Sequence, residues 1–127
     1  MTTEIILLKN FEQALAKLKD GVDKNLKSDI EKSGLIKYFE FCFELSWKAI
    51  QKIARTKGIS DEIASPKSAF RIAFSQGWIQ DEVKWISMLN DRNIMSHTYN
   101  FLDAEKVFLK IPDYSLEMEK LLIKLKM

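Results

Sequence analysis

Tyr38-Phe39-Glu40-Phe41-Cys42-Phe43-Glu44-Leu45-Ser46-Trp47 decides the fold of this 127-residue chain. Taken alone, the segment alternates apolar and polar residues like a half-buried strand. Its flanks decide otherwise. Apolar residues continue at helical spacing from Leu35 to Ala54, far beyond the length of an ordinary strand. On a helical wheel they cover roughly 240°, whereas a helix packed on one side needs little more than about 100°. The polar remainder carries Glu40, Glu44, Lys48, Gln51 and Arg55, with Glu44 and Lys48 spaced as a favourable i,i+4 pair. So wide an arc requires wrapping by neighbouring helices or contact with another chain.

The boundaries of this helix are written beside it. Ser28-Asp29-Ile30-Glu31 reads as a capping box, the Ser hydroxyl accepting a backbone N–H while Glu31 reaches back. Gly58 supplies a left-handed stop, and Gly34 is expected to kink or break the first turns. Upstream, Leu7, Leu8, Phe11, Leu15, Leu18 and Val22 form the stripe of a first helix, from about Glu4 to Lys24. Downstream, Ser65-Pro66 starts a short helix carrying Ala69, Phe70, Ile72, Ala73 and Phe74, which Gly77 closes. Asp81 caps a fourth, with Val83, Trp85, Ile86, Met88, Leu89 and Ile94. Asn100 or Asp103 caps the next. Pro112 should interrupt that pattern and restart it before the last stripe, Tyr114, Met118, Leu121, Leu122 and Leu125. The expected architecture is all-α: an up-and-down bundle of four to five helices, in one domain spanning residues 1–127.

Composition agrees. Four Gly and two Pro are too few for the hairpins of a β-sandwich or barrel. Twenty basic and 18 acidic residues give +2, too mild to hold nucleic acid by bulk charge. A local patch remains open. Lys106, Lys110, Lys120, Lys124 and Lys126 bias the C-terminal region basic, as a solvated face or as a guide for RNA. The single Cys42 forms no intrachain disulfide and reads as a small buried hydrophobe. One Cys and one His cannot build a nitrogen/sulfur zinc site within one chain. MTTEIILLKNF holds only four consecutive apolar residues, so it is no signal peptide, and no later run approaches a membrane span. The expected address is the cytoplasm.

Chemistry concentrates in Asn90-Asp91-Arg92-Asn93-Ile94-Met95-Ser96-His97-Thr98-Tyr99-Asn100, which contains the only histidine. On a helix, Asn93 and His97 lie one turn apart on one face, while Arg92 lies about 140° away from His97. A site using both needs a distorted helix or a second copy, which a two-fold dimer supplies. His exchanges a proton near neutral pH, and Arg is a permanent cation whose fork fits phosphate. Together they suit metal-free transesterification of RNA: His97 takes the 2′-hydroxyl proton and Arg92 stabilises the phosphorane. The plain alternative is a helix end on which Arg92 pairs with Asp91 and His97 finishes the last turn. A Ser96–His97–Asp91 triad is disfavoured because adjacent side chains diverge and no nucleophile elbow surrounds them. Glu40 and Glu44 read as a solvated edge before a metal pair, and Trp47, Trp78 and Trp85 as core before base-stacking platforms.

Arg92-Asn93-Ile94-Met95-Ser96-His97-Thr98-Tyr99 resembles the Arg-x4-His-x-Tyr motif of HEPN-domain toxins, which are paired with minimal nucleotidyltransferase (MNT) antitoxins. Two further segments, Phe39 to Lys48 and Ser65 to Arg71, are similar to the subset named nucleotidyltransferase substrate-binding proteins, and Trp85 to Asn93 continues the match into the motif. The likeness runs from roughly Phe11 to Leu122. It implies a dimerising helical bundle with Arg92 and His97 near the dimer cleft, Asn93 as an assisting residue, and metal-independent ribonuclease activity without a cofactor. It further implies a nucleotidyltransferase partner that moves AMP from ATP onto Tyr99 and so silences the toxin. The same likeness leaves a second role open, a non-catalytic subunit or adaptor that presents substrate to the nucleotidyltransferase.

Overall fold

The computed structural model describes residues 2–97 and 100–127. Five helices follow in order: α1 (Thr3–Asp23), α2 (Asp29–Thr56), α3 (Pro66–Ser75), α4 (Glu82–His97) and α5 (Phe101–Leu125). Among the described residues there is no strand. The helix starts follow local chemistry. The Ser28 hydroxyl accepts from the Glu31 amide at 3.1 Å, and Glu31 Oε1 accepts from the Ser28 amide at 3.2 Å. The Ser28 hydroxyl also lies 2.9 Å from Glu31 Oε1, and that contact first, then the bond from the Ser28 amide, holds the Glu31 carboxyl below its ordinary range. Ser65 and Ser68 make the same reciprocal box across Pro66, the first residue of α3. Asp81 Oδ1 takes the Lys84 amide, and Asn100 Oδ1 takes the amides of Leu102 and Asp103. Gly58 and Gly77, at φ 71° and 77°, provide the left-handed exits from α2 and α3.

The strand-like segment is the middle of α2, and α2 is the axis of the molecule. It packs against all four other helices. Leu35, Ile36, Phe39, Cys42, Phe43, Ala49, Ile50, Ile53 and Ala54 are buried there. The wide apolar arc is thus mostly wrapped within the chain, though Tyr38 and Phe41 stay 39% and 46% exposed. An aromatic series crosses the core. Tyr114 of α5 stacks on Phe39 at 5.5 Å, Phe39 meets Phe43 at 6.5 Å, Phe43 meets Phe70 of α3 at 5.6 Å, and Phe70 meets Trp85 of α4 at 5.0 Å. Such pairs add about 0.5–1.5 kcal/mol each beyond their burial. They also tie α4 to α2 where the functional cluster begins.

Several expectations are corrected. Gly34 neither kinks nor breaks α2: the helix runs through it, and a side chain there would meet open space. Pro112 does not restart a helix, because α5 continues through it. The ring is exposed on the outer face, while Ile111, Tyr114 and Ser115 around it are buried and hold both halves in place. Val83, Ile94 and Phe74 stand in apolar stripes yet are 81%, 44% and 48% exposed, since no element covers those flanks of α3 and α4. Cys42 is fully buried as expected, and burial pushes its thiol up to about 12.

Candidate active site

Helix α4 runs unbroken to His97 and so fixes the directions of the cluster. Asn93 and His97 fall one turn apart, both exposed. Arg92 turns instead into the crease between α4 and α2. Its Nη2 lies 3.2 Å from Glu44 Oε1, and its guanidinium carbon sits 5.1 Å from the centre of the Phe43 ring, a cation–π distance. The Nε is buried without a hydrogen-bond partner. Glu44 is itself held, because Trp47 donates its indole N–H to Oε2 at 3.1 Å. Higher in the crease, the Ser96 hydroxyl lies 3.4 Å from Glu40 Oε1 and 2.8 Å from the Arg92 carbonyl. One chain therefore brings Arg92, Glu44, Phe43 and Trp47 together and leaves His97 and Asn93 on another face. Tyr99 lies outside the described residues.

The opposite side of α4 carries a separate polar group. Asp91 is 6% exposed and faces α5. Tyr114 donates its hydroxyl to Asp91 Oδ2 at 2.6 Å, Lys110 Nζ approaches the same oxygen at 3.2 Å, and Ser87 shares a 2.6 Å bond with the Tyr114 hydroxyl. Burial, and then the bond to Asp91, push the Tyr114 phenol well above its ordinary range. The alternative in which Arg92 pairs with Asp91 is thereby corrected. Successive helical residues point about 100° apart, and each of the two has found a partner on a different helix. The same divergence removes the Ser96–His97–Asp91 triad.

Glu44 also departs from expectation: it pairs with Arg92 of α4 and with Trp47, not with Lys48. Its use there removes it from a metal pair with Glu40. Among the described residues no group of three or more His, Cys, Asp or Glu side chains could hold a metal ion. Of the three tryptophans, Trp85 is core and Trp47 and Trp78 are partly buried against it. The C-terminal lysines are largely neutralised. Lys110 pairs with Asp91, Lys120 with Glu117 and Lys126 with Glu12. Lys48, Lys52 and Arg55 of α2, and Lys67 and Arg71 of α3, make no ion pair with a described acid. Between residues 45 and 80 there are six basic and two acidic residues. No helix among the described residues is long and apolar enough to cross a membrane.

Fold and site together define a class: an all-α bundle whose fourth helix ends in an Arg-x4-His cluster. The family described as "Nucleotidyltransferase substrate binding protein like" matches residues 7–127. The chain belongs to that family. It is 32% identical over 124 residues to a protein of Haemophilus influenzae named "Probable ribonuclease HepT", covering 92% of this chain and 85% of the relative. A crystal structure from Thermus thermophilus superposes with a TM-score of 0.85 at 36% identity, covering 92% of this chain and 99% of that one. A second structure, from Haemophilus influenzae, has a TM-score of 0.83 at 30% identity and covers 94% and 99%; it is described as revealing the fold of a substrate binding domain of a nucleotidyltransferase.

Proposed function

We propose that this chain is the ribonuclease of a toxin–antitoxin pair whose other member is a minimal nucleotidyltransferase. The observation that carries this reading is Arg92, a cation seated over Phe43 in the α2–α4 crease, on the same helix as an exposed His97. The name of the Haemophilus relative supports it. His97 acts as general base on an RNA 2′-hydroxyl. The 2′-oxygen bonds to phosphorus, the bond from phosphorus to the 5′-oxygen breaks, and the leaving oxygen takes a proton from solvent. Arg92 offsets charge on the pentacoordinate phosphorus, and Asn93, on the His97 face, positions the base or the phosphate. No metal or cofactor takes part.

Because α4 points Arg92 and His97 apart, the working unit is a two-fold homodimer, in which Arg92 of one copy meets the face carrying His97 of the other. The exposed Tyr38 and Phe41, beside Glu40 and Glu44 on α2, supply apolar surface for that contact. In the transfer of AMP from ATP, the Tyr99 phenol loses its proton and its oxygen bonds to the α-phosphorus as the bond to the β-phosphate breaks and pyrophosphate leaves. The added bulk and anion near the motif would compete with RNA for Arg92.

The test is cleavage of RNA by the purified chain in EDTA, with His97→Ala and Arg92→Ala alongside. Loss of a general base costs about 10²–10⁴ in rate. Mixing the two inactive variants should restore part of the activity if the site is shared between copies. Cleavage that survives His97→Ala, or that stops with EDTA, overturns the mechanism. A second reading, a non-catalytic subunit presenting substrate to the nucleotidyltransferase, is favoured by the family to which the chain belongs and by the role given to the second Haemophilus structure. It predicts an inactive chain that changes its partner's KM.

A further inference from the structure

We propose that Glu44 is a positioning residue, holding the Arg92 guanidinium in the orientation in which it meets a phosphate; this rests on the ribonuclease reading above. Glu44 lies 48 positions before Arg92 and belongs to α2, outside the motif. An unconstrained Arg–carboxylate pair closes as a two-pronged fork. Here Glu44 makes only one prong, Oε1 to Nη2 at 3.2 Å, and gives its other oxygen to the Trp47 indole at 3.1 Å. Two contacts therefore act on the guanidinium: the Phe43 ring lies beneath it and Glu44 holds one amino group, while Nε is buried with no partner of its own. Nη1 has no partner among the described residues and is left for an incoming oxyanion. What Glu44 supplies is direction, and Trp47 keeps Glu44 from swinging away.

A carboxylate so close to a phosphate-binding cation could instead be a competitor that phosphate must displace. The two roles predict opposite kinetics. If Glu44 positions Arg92, Glu44→Ala lowers kcat by about 10–100-fold, the scale on which a misplacement of about 1 Å acts, and changes KM little. Glu44→Gln keeps an oxygen for Nη2 and loses less than Glu44→Ala. Trp47→Phe keeps an aromatic ring, loses the indole N–H, and falls between them. A competitor gives a faster Glu44→Ala enzyme with a lower KM, which overturns the proposal.

The second arm needs no catalysis. In ¹⁵N NMR the Arg92 Nε–H signal should be protected from exchange and shifted by the Phe43 ring. Glu44→Ala should lose that protection, and its Arg92 signal should shift several-fold less at saturation with a 2′-deoxy oligonucleotide, which cannot be cleaved, while the oligonucleotide's affinity changes little. An unchanged Arg92 signal and response would remove Glu44 from the role even if RNA cleavage is confirmed. If the wild-type chain cleaves no RNA, the ribonuclease reading fails, and this resonance alone decides for or against Glu44.

Discussion

Asp91 and Arg92 are neighbours in sequence and opposites in environment. Asp91 faces α5, where Tyr114 and Lys110 meet it and Ser87 completes the network. Arg92 faces α2, where one amino group is paired and Nε is buried without a partner. The first arrangement is closed and spends its polar groups on holding α4 to α5. The second leaves a buried donor without a partner, which the proposed phosphate-binding role would account for. Under the proposed function two adjacent polar residues divide the work, one fixing the helix and one acting from it.

The largest test of that division is to delete each residue in turn. Arg92→Ala should reduce RNA cleavage by about 10²–10³, as loss of a charge-stabilising donor does. Its urea midpoint should stay near wild type, because the partly exposed Arg92–Glu44 pair contributes at most about 1 kcal/mol. Asp91→Ala should do the reverse in kind. It takes the carboxylate from Tyr114 and Lys110, leaves the Tyr114 hydroxyl only Ser87, and should cost about 1–3 kcal/mol of stability, read as a lower urea midpoint at unchanged slope. Equal losses of stability in the two variants would erase the contrast.

Alkali should attack the core around that network before the crease. Burial raises the Cys42 thiol from its ordinary 9.0 to about 12, and the Tyr114 phenol also rises above its ordinary 10.0. For both, the folded state holds its proton where the unfolded chain releases it. Stability is therefore full below about pH 9 and falls as pH climbs toward 12. Thermal melts across pH 8–11 should show the decline, and Cys42→Ala should flatten its early part. A melting temperature that stays level to pH 11 would contradict the burial of both groups.

A smaller effect separates the two basic regions. Replacing Lys48 and Arg55 by Gln should lower the salt dependence of oligonucleotide binding by about one logarithmic unit per lost phosphate contact. Replacing the paired Lys120 and Lys126 should change it far less. Equal slopes would mean that the unpaired cations of α2 touch no phosphate.

What was legible in the sequence was local. Ser28 with Glu31, Ser65 with Pro66, Gly58 and Gly77 act within one turn, so they marked the helix boundaries correctly, and of the two candidate caps for α5 the structure uses Asn100. The alternation of residues 38–47 was resolved by its flanks. The illegible parts required a partner far along the chain. Glu44 had a plausible neighbour at Lys48, and nothing in the spacing told of Arg92 on another helix. Asp91 adjoined Arg92, and only the packing of α5 shows which group it serves. Periodicity placed Val83 and Ile94 in stripes but carries no information about whether an element covers them.

Pro112 has a consequence for how α5 opens. Having no N–H, it cannot donate to the carbonyl of Phe108, so the ladder of backbone bonds lacks one rung near the middle of the helix. Exchange of amide protons with solvent reports the size of the unit that must open. Residues 101–111, whose Lys110 is tied to α4, and residues 113–125, whose Lys126 neighbour is tied to α1, need not open together. The last helix should behave as two exchange units joined at a proline, so the segment beside the motif can loosen while the C-terminal half stays protected.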